Sequence, residues 1–180
     1  MAFEANLWGW MRDFHAPDLH QERVENAVGN ATPDVEGQIG VSHYHLELKV
    51  LRDKSVSGKD DIQGRLKFEV GQREWGQKRW SVGGTSYLVV EGFSQDIYMI
   101  PGAFLLTLPR LGMVKTRELQ ALSWWYCEKK NPEIRAALYG ALRKSAAAHR
   151  WVDERFRLDP QLLAASLPPA VHPALSGSAS

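Results

Sequence analysis

The chain has 180 residues, which suits one domain with a small appendage, and 44% of them are hydrophobic and 24% charged, as in ordinary globular proteins. The single cysteine, Cys127, excludes an internal disulfide and a cysteine-based zinc site. No apolar run approaches the roughly 20 residues needed to cross a bilayer, and the net charge of +1 points neither toward nor away from nucleic acid.

In chain order, Leu7, Trp10, Met11 and Phe14 have helical spacing. The first residues lack a basic segment followed by an apolar core, so no signal peptide and a cytoplasmic location are expected. Asp18 caps a second predicted helix that runs to about Val28. An extended piece follows at Pro33 to Glu36, then a glycine-containing turn and a strand from His43 to Leu51. Residues 52–64 are polar and read as a loop. A helix is expected from about Gly71 to Val82, ended by Gly83 and Gly84. TSYLVVE reads as a strand and DIYMI as another. Residues 102–111 are helix or loop, and residues 116–129 are expected to be helical. Asn131, Pro132 and Glu133 start a helix that could reach His149, because they supply a cap, a first-position proline and an acid. The end, rich in Pro, Ser, Ala and Gly, reads as disordered. This order implies an α/β layered domain with helical additions.

Charge is uneven along the chain. Residues 1–48 hold eight acids and two bases, a balance of −6, which leaves +7 for the remainder. The acidic part suits a divalent cation and the basic part a polyanion. In HYHLELKV, alternation places His43, His45, Glu47 and Lys49 on one strand face, with Tyr44, Leu46, Leu48 and Val50 on the other. Glu and Lys on one strand face are usually just solvated, but if the strand is central in a sheet covered on both sides, a cleft is the simplest reason for four polar residues on one face. Asp34 precedes them after a proline, and Glu25 precedes Asp34. Magnesium takes carboxylate oxygens and keeps waters in its remaining positions. Two or three acids with a nearby ammonium are therefore a minimal kit for phosphodiester hydrolysis. His43 and His45 with Glu47 could also suggest zinc, but no third nitrogen or sulfur ligand accompanies them.

Pro33-Asp34 followed by Glu47-Leu48-Lys49 resembles the PD-(D/E)xK nuclease superfamily. The RVEN segment (Arg23 to Asn26), Gln72 and Trp75, the glycine pair and the strand TSYLVV extend the resemblance to the VRR-NUC-like and phage Holliday-junction resolvase branch, over about residues 18 to 91. GNAT stands before Pro33, where a glycine-rich turn is common. The resemblance implies a restriction-endonuclease-like α/β core, a mixed central sheet flanked by helices, over residues 1–101. Residues 102–165 would be a helical extension packed on it, and 166–180 a disordered tail. It implies that Asp34 and Glu47 hold Mg2+, with Mn2+ able to substitute, and that Glu25 on a helix completes the metal shell. Glu22, one turn earlier, competes for that role. Lys49 would position the attacking water or steady the transition state, and Gln72 would contact the metal's surroundings or nucleic acid.

Arg73, Lys78 and Arg79, interleaved with Trp75 and Trp80, are candidate DNA contacts on one helix, and His45 a candidate phosphate contact. Bases at such spacing also form solvated faces, and at least one of the tryptophans should sit in the core. The expected function is a metal-dependent DNA endonuclease, a Holliday-junction resolvase of phage or bacterial type acting as a homodimer on branched DNA. The alternatives are a flap, end-processing or defence nuclease on the same site, or a DNA-binding protein that keeps the fold without cleavage.

Overall fold

A computed structural model of the protein describes residues 2–24, 33–56 and 62–166. The first element is helix α1 (Ala2–Arg12), which buries Leu7 and Met11 as its spacing requires. Strand β1 (Leu19–Arg23) follows where the sequence suggested a helix capped by Asp18. Tertiary pairing overrides local preference here. β1 lies antiparallel to β2 (Val35–Ile39), with Leu19 opposite Ile39 and Arg23 opposite Val35. Glu22, considered above as a helix-borne acid, is therefore an exposed strand residue opposite Glu36. The rest of that expected helix, including Glu25, lies outside the described residues.

A two-residue turn, Gly40-Val41, joins β2 to β3 (Ser42–Val50). Gly40 has φ +58°, a conformation open to glycine at little cost. β3 is paired on both edges, antiparallel to β2 and parallel to β6 (Ser86–Glu91). The parallel step needs a crossover. It contains β4 (Arg52–Val56), β5 (Ile62–Lys67) and α2 (Gln72–Ser81). The polar stretch 52–64 read as a loop thus holds β4 and the first half of β5. β6 pairs with β7 (Ile97–Pro101), and β7 with β9 (Trp125–Cys127). The central sheet is mixed and six-stranded, in the order β1-β2-β3-β6-β7-β9. A second sheet has the order β4-β5-β8, with β8 spanning Leu111–Lys115.

The protein is an α/β fold with this mixed sheet flanked by helices, as the sequence implied. α2 begins after Gly71 and ends before Gly83, both with positive φ, close to its expected bounds. It packs against a 3₁₀ helix, Gly102–Thr107, by close backbone approach. A Cβ on Gly76 would overlap Leu105. The Ser86 hydroxyl donates to the Gly76 carbonyl at 2.7 Å and so ties α2 to β6.

The expected helix over 116–129 is shorter. It is α3 (Thr116–Leu122), and the residues after it join the sheet as β9. The helix begun by Asn131 is α4 (Pro132–Leu142), with the Asn131 side chain accepting from the Ile134 N–H at 2.8 Å. It stops before His149, and α5 (Ser145–Leu158) and α6 (Pro160–Ser166) follow. α4 is anchored to the N-terminal part of the chain. Tyr139 donates to Gln21 at 2.6 Å, Arg135 to the Trp10 carbonyl at 2.7 Å, and Arg143 pairs with Asp18 at 2.6 Å. Arg135 and Arg143 are thus fastened rather than spread on a free solvated face. Trp80 is in the core, stacked on His149 at 4.0 Å. Among the described residues no helix is long and apolar enough to cross a membrane.

Candidate functional site

The site is built on β3, whose burial departs from simple alternation. His45, Leu46, Glu47, Leu48 and Lys49 are all buried, because sheet neighbours and packed elements cover both faces. Glu47 is 6% and Lys49 8% exposed, which makes an unspecialised surface ion pair untenable. Their side chains project from the same face and form an ion pair. The Lys49 ammonium faces Glu47 Oε1 in this pair.

Asp34 reaches the same place from the start of β2. The β2–β3 ladder ends at Val35 opposite Leu46. Beyond it, Asp34 Oδ2 accepts from the Leu48 N–H at 2.8 Å. A side-chain carboxylate thus replaces the missing main-chain partner between Glu47 and Lys49. The Asp34 carbonyl accepts from the Val24 N–H at 2.9 Å, which holds β1 beside it.

The electrostatics are strongly coupled. Burial pushes the Glu47 pKa up, to about 8; Lys49 opposes the rise and the nearby Asp34 carboxylate adds to it. Burial works against the Lys49 ammonium, but Glu47, and after it Asp34 and Glu4, outweigh burial and hold its pKa above the usual lysine value. Two carboxyl groups crowded together, Glu47 buried and Asp34 half-buried, form a donor set suited to a hard cation. Among the described residues no group of three or more His, Cys, Asp or Glu side chains is arranged to hold a metal. Magnesium commonly takes one or two carboxylates and completes its shell with water and substrate phosphate, so two carboxylates fit it.

Asp34 and Lys49 line a cleft of about 620 Å³, shared with Gln72, Glu4, Arg65 and Lys67. Glu47 lines a small adjoining pocket with His45, Gln72 and Trp75. Gln72 therefore stands between the two, and its Oε1 accepts from the Glu69 N–H at 2.7 Å. His45 is buried beside Glu47, with Nε2 3.2 Å from Glu36 Oε1 and its ring in a T-shaped contact with Trp75. Arg73 is turned inward and donates to the Leu108 carbonyl. Lys78 and Arg79 are exposed on α2 and do not line the cleft. His43 is exposed, apart from the buried His45.

Sequence reasoning missed Glu4, Arg23, Arg52, Arg65 and Lys67, which also border the cleft. The alternation of Gly64, Arg65, Leu66 and Lys67 was the available signal for β5. Nothing local placed Glu4 near Lys49.

No family model matches the chain, and no curated protein does. Among solved structures it is similar to Hjc, a Holliday junction resolvase from the archaeal hyperthermophile Archaeoglobus fulgidus. The identity is 13% and the TM-score 0.42, over 67% of this chain and 90% of that one.

Proposed function

We propose that this chain is a metal-dependent endodeoxyribonuclease. The observation that carries the reading is the convergence of Asp34, Glu47 and Lys49 in a buried site beside an open cleft. Asp34 and Glu47 hold Mg2+, or Mn2+ in its place, and Glu25 is the proposed third acid. When bound there, such a cation would supply a more acidic water and charge stabilisation at the phosphoryl oxygen. Asp34 is fixed for its part by the Leu48 N–H, so its second oxygen keeps one direction. Lys49 stays protonated and offers an ammonium to the phosphate or to the attacking water. Gln72, at the junction of cleft and pocket, orients groups between the metal and the nucleic acid.

The proposed substrate is branched DNA, cut as a Holliday junction by a homodimer, with the nuclease site in residues 1–101 and the segment 102–165 adding β8 and β9 to the two sheets. His45, Arg73, Lys78 and Arg79 remain proposed DNA contacts. The test is incubation with a four-way junction, a linear duplex, a flap and a single strand, each with Mg2+, Mn2+ or chelator, and with Asp34→Ala as control. Symmetric metal-dependent nicking of the junction alone is expected. Cutting of the other substrates would move the role to flap, end-processing or defence cleavage. Binding without cutting in either metal would overturn the nuclease reading.

A further inference from the structure

The two sheets differ in charge. The six strands of the central sheet carry two bases (Arg23, Lys49) and four acids (Glu22, Glu36, Glu47, Glu91), a balance of −2. The strands of the second sheet carry five bases (Arg52, Lys54, Arg65, Lys67, Lys115) and one acid, Asp53, a balance of +4. The register decides where these bases go. Arg52 lies opposite Arg65 and Arg65 opposite Met113, so the three form a row across the sheet. Lys67 lies opposite Leu111, and Gln63 opposite Lys115, two residues to either side. Directly paired residues, and those two apart on a strand, share a face. The alternate positions Gly64, Leu66 and Val114 are buried, so the cationic face is the outer one. Arg52, Arg65 and Lys67 border the same cleft as Asp34 and Lys49.

We infer that this outer face of the β4-β5-β8 sheet is the DNA-holding surface, carrying a phosphodiester backbone into the cleft. The choice of DNA as the polyanion rests on the nuclease reading. The acids beside the face do not close it. Arg65 pairs with Asp53 at 3.1 Å and Lys67 with Glu69 at 3.4 Å, but both are exposed pairs, which add little stability. A phosphate exchanges for either carboxylate at small cost and keeps the cation paired. α2 offers less, because Arg73 is spent on Leu108, and only Gln72 of that helix lines the cleft.

The experiment is binding of labelled duplex and four-way junction in chelator, over a salt series, by fluorescence anisotropy. Each neutralised phosphate contact contributes about one unit to the slope of log K against log salt. Arg65→Gln and Lys67→Gln should each lower the slope by about one, and the double variant should bind at least about tenfold more weakly at moderate salt. Arg157→Gln, exposed on α5, should match the wild type. The single variants preserve the test should the double variant fail to fold. A double variant with wild-type slope and affinity would overturn the inference. So would loss of the slope in Lys78→Gln/Arg79→Gln with no loss in the sheet variants. Binding through the sheet without cleavage in Mg2+ or Mn2+ would leave the inference standing and remove the nuclease reading. Cleavage with unchanged binding in the double variant would do the reverse.

Discussion

Asp34 Oδ2 accepts a 2.8 Å hydrogen bond from the Leu48 N–H, the peptide group between Glu47 and Lys49. One contact thus closes the sheet where β2 leaves β3 and sets a carboxylate beside the other two site residues. Structure and proposed chemistry separate at this position. Asp34→Asn keeps an acceptor and should retain most of its stability while losing metal-dependent cleavage. Asp34→Ala leaves the Leu48 N–H without its partner and should lose roughly 1–3 kcal/mol as well. Urea denaturation beside a cleavage assay distinguishes the two. Equal stability of both variants would show that the Leu48 bond matters little.

Lys49→Ala removes the cation paired with buried Glu47. Burial makes folding depend on pH. Glu47 can escape as the neutral acid, because its folded pKa lies above the unfolded value and rises further without Lys49. The folded state then holds a proton that the unfolded state has lost, so stability falls as pH rises. The variant should be near wild type at about pH 6 and weaker by roughly 2–4 kcal/mol at about pH 9. Thermal melts at both pH values test this, and a loss independent of pH would contradict it. Cleavage should be absent throughout, with DNA binding in chelator retained.

The proposed role of Glu47 as a metal ligand would link metal affinity to pH. With its pKa raised to about 8, a cation bound there near neutrality would displace a proton. Mg2+ affinity should therefore strengthen as pH rises toward 8, by up to about tenfold per unit, and then level off. Titration calorimetry in buffers of different ionisation enthalpy measures the proton released. Glu47→Gln should bind Mg2+ weakly at every pH and release no proton.

Far from the site, His149 stacks on Trp80, and its Nε2 is buried without a partner. Burial lowers its pKa below 6.5, although Asp153 and the Gly84 backbone work the other way. The unfolded chain takes up the proton first, so folding stability should fall as pH drops through 6.5. His149→Phe keeps a ring on Trp80 and should flatten that fall in urea midpoints. An unchanged pH profile would show that His149 does not cause it.

The convergence of Asp34, Glu47 and Lys49 was legible in the sequence because its signals are local. Pro33-Asp34 and the alternation of Glu47 with Lys49 fall within one hairpin, and period-two spacing alone puts the latter pair on one face. α2 and the start of α4 were legible for the same reason, since Gly71, Gly83, Asn131 and Pro132 mark helix ends by their own backbone preferences. Tertiary structure decided the rest. β1 is a strand because β2 offers it a ladder, against the helical reading of its residues. β4 and β5 pair over a short separation, but β8 joins them only across dozens of residues, and the trip from Gln63 to Lys115 leaves no trace in a local pattern. The burial of Glu47 and Lys49, and with it the raised proton affinity of Glu47, follows from coverage of β3 on both faces, while Lys49 is raised by the carboxylates this packing gathers around it. Residue spacing sets which side chains share a face, but long-range packing sets the dielectric they work in.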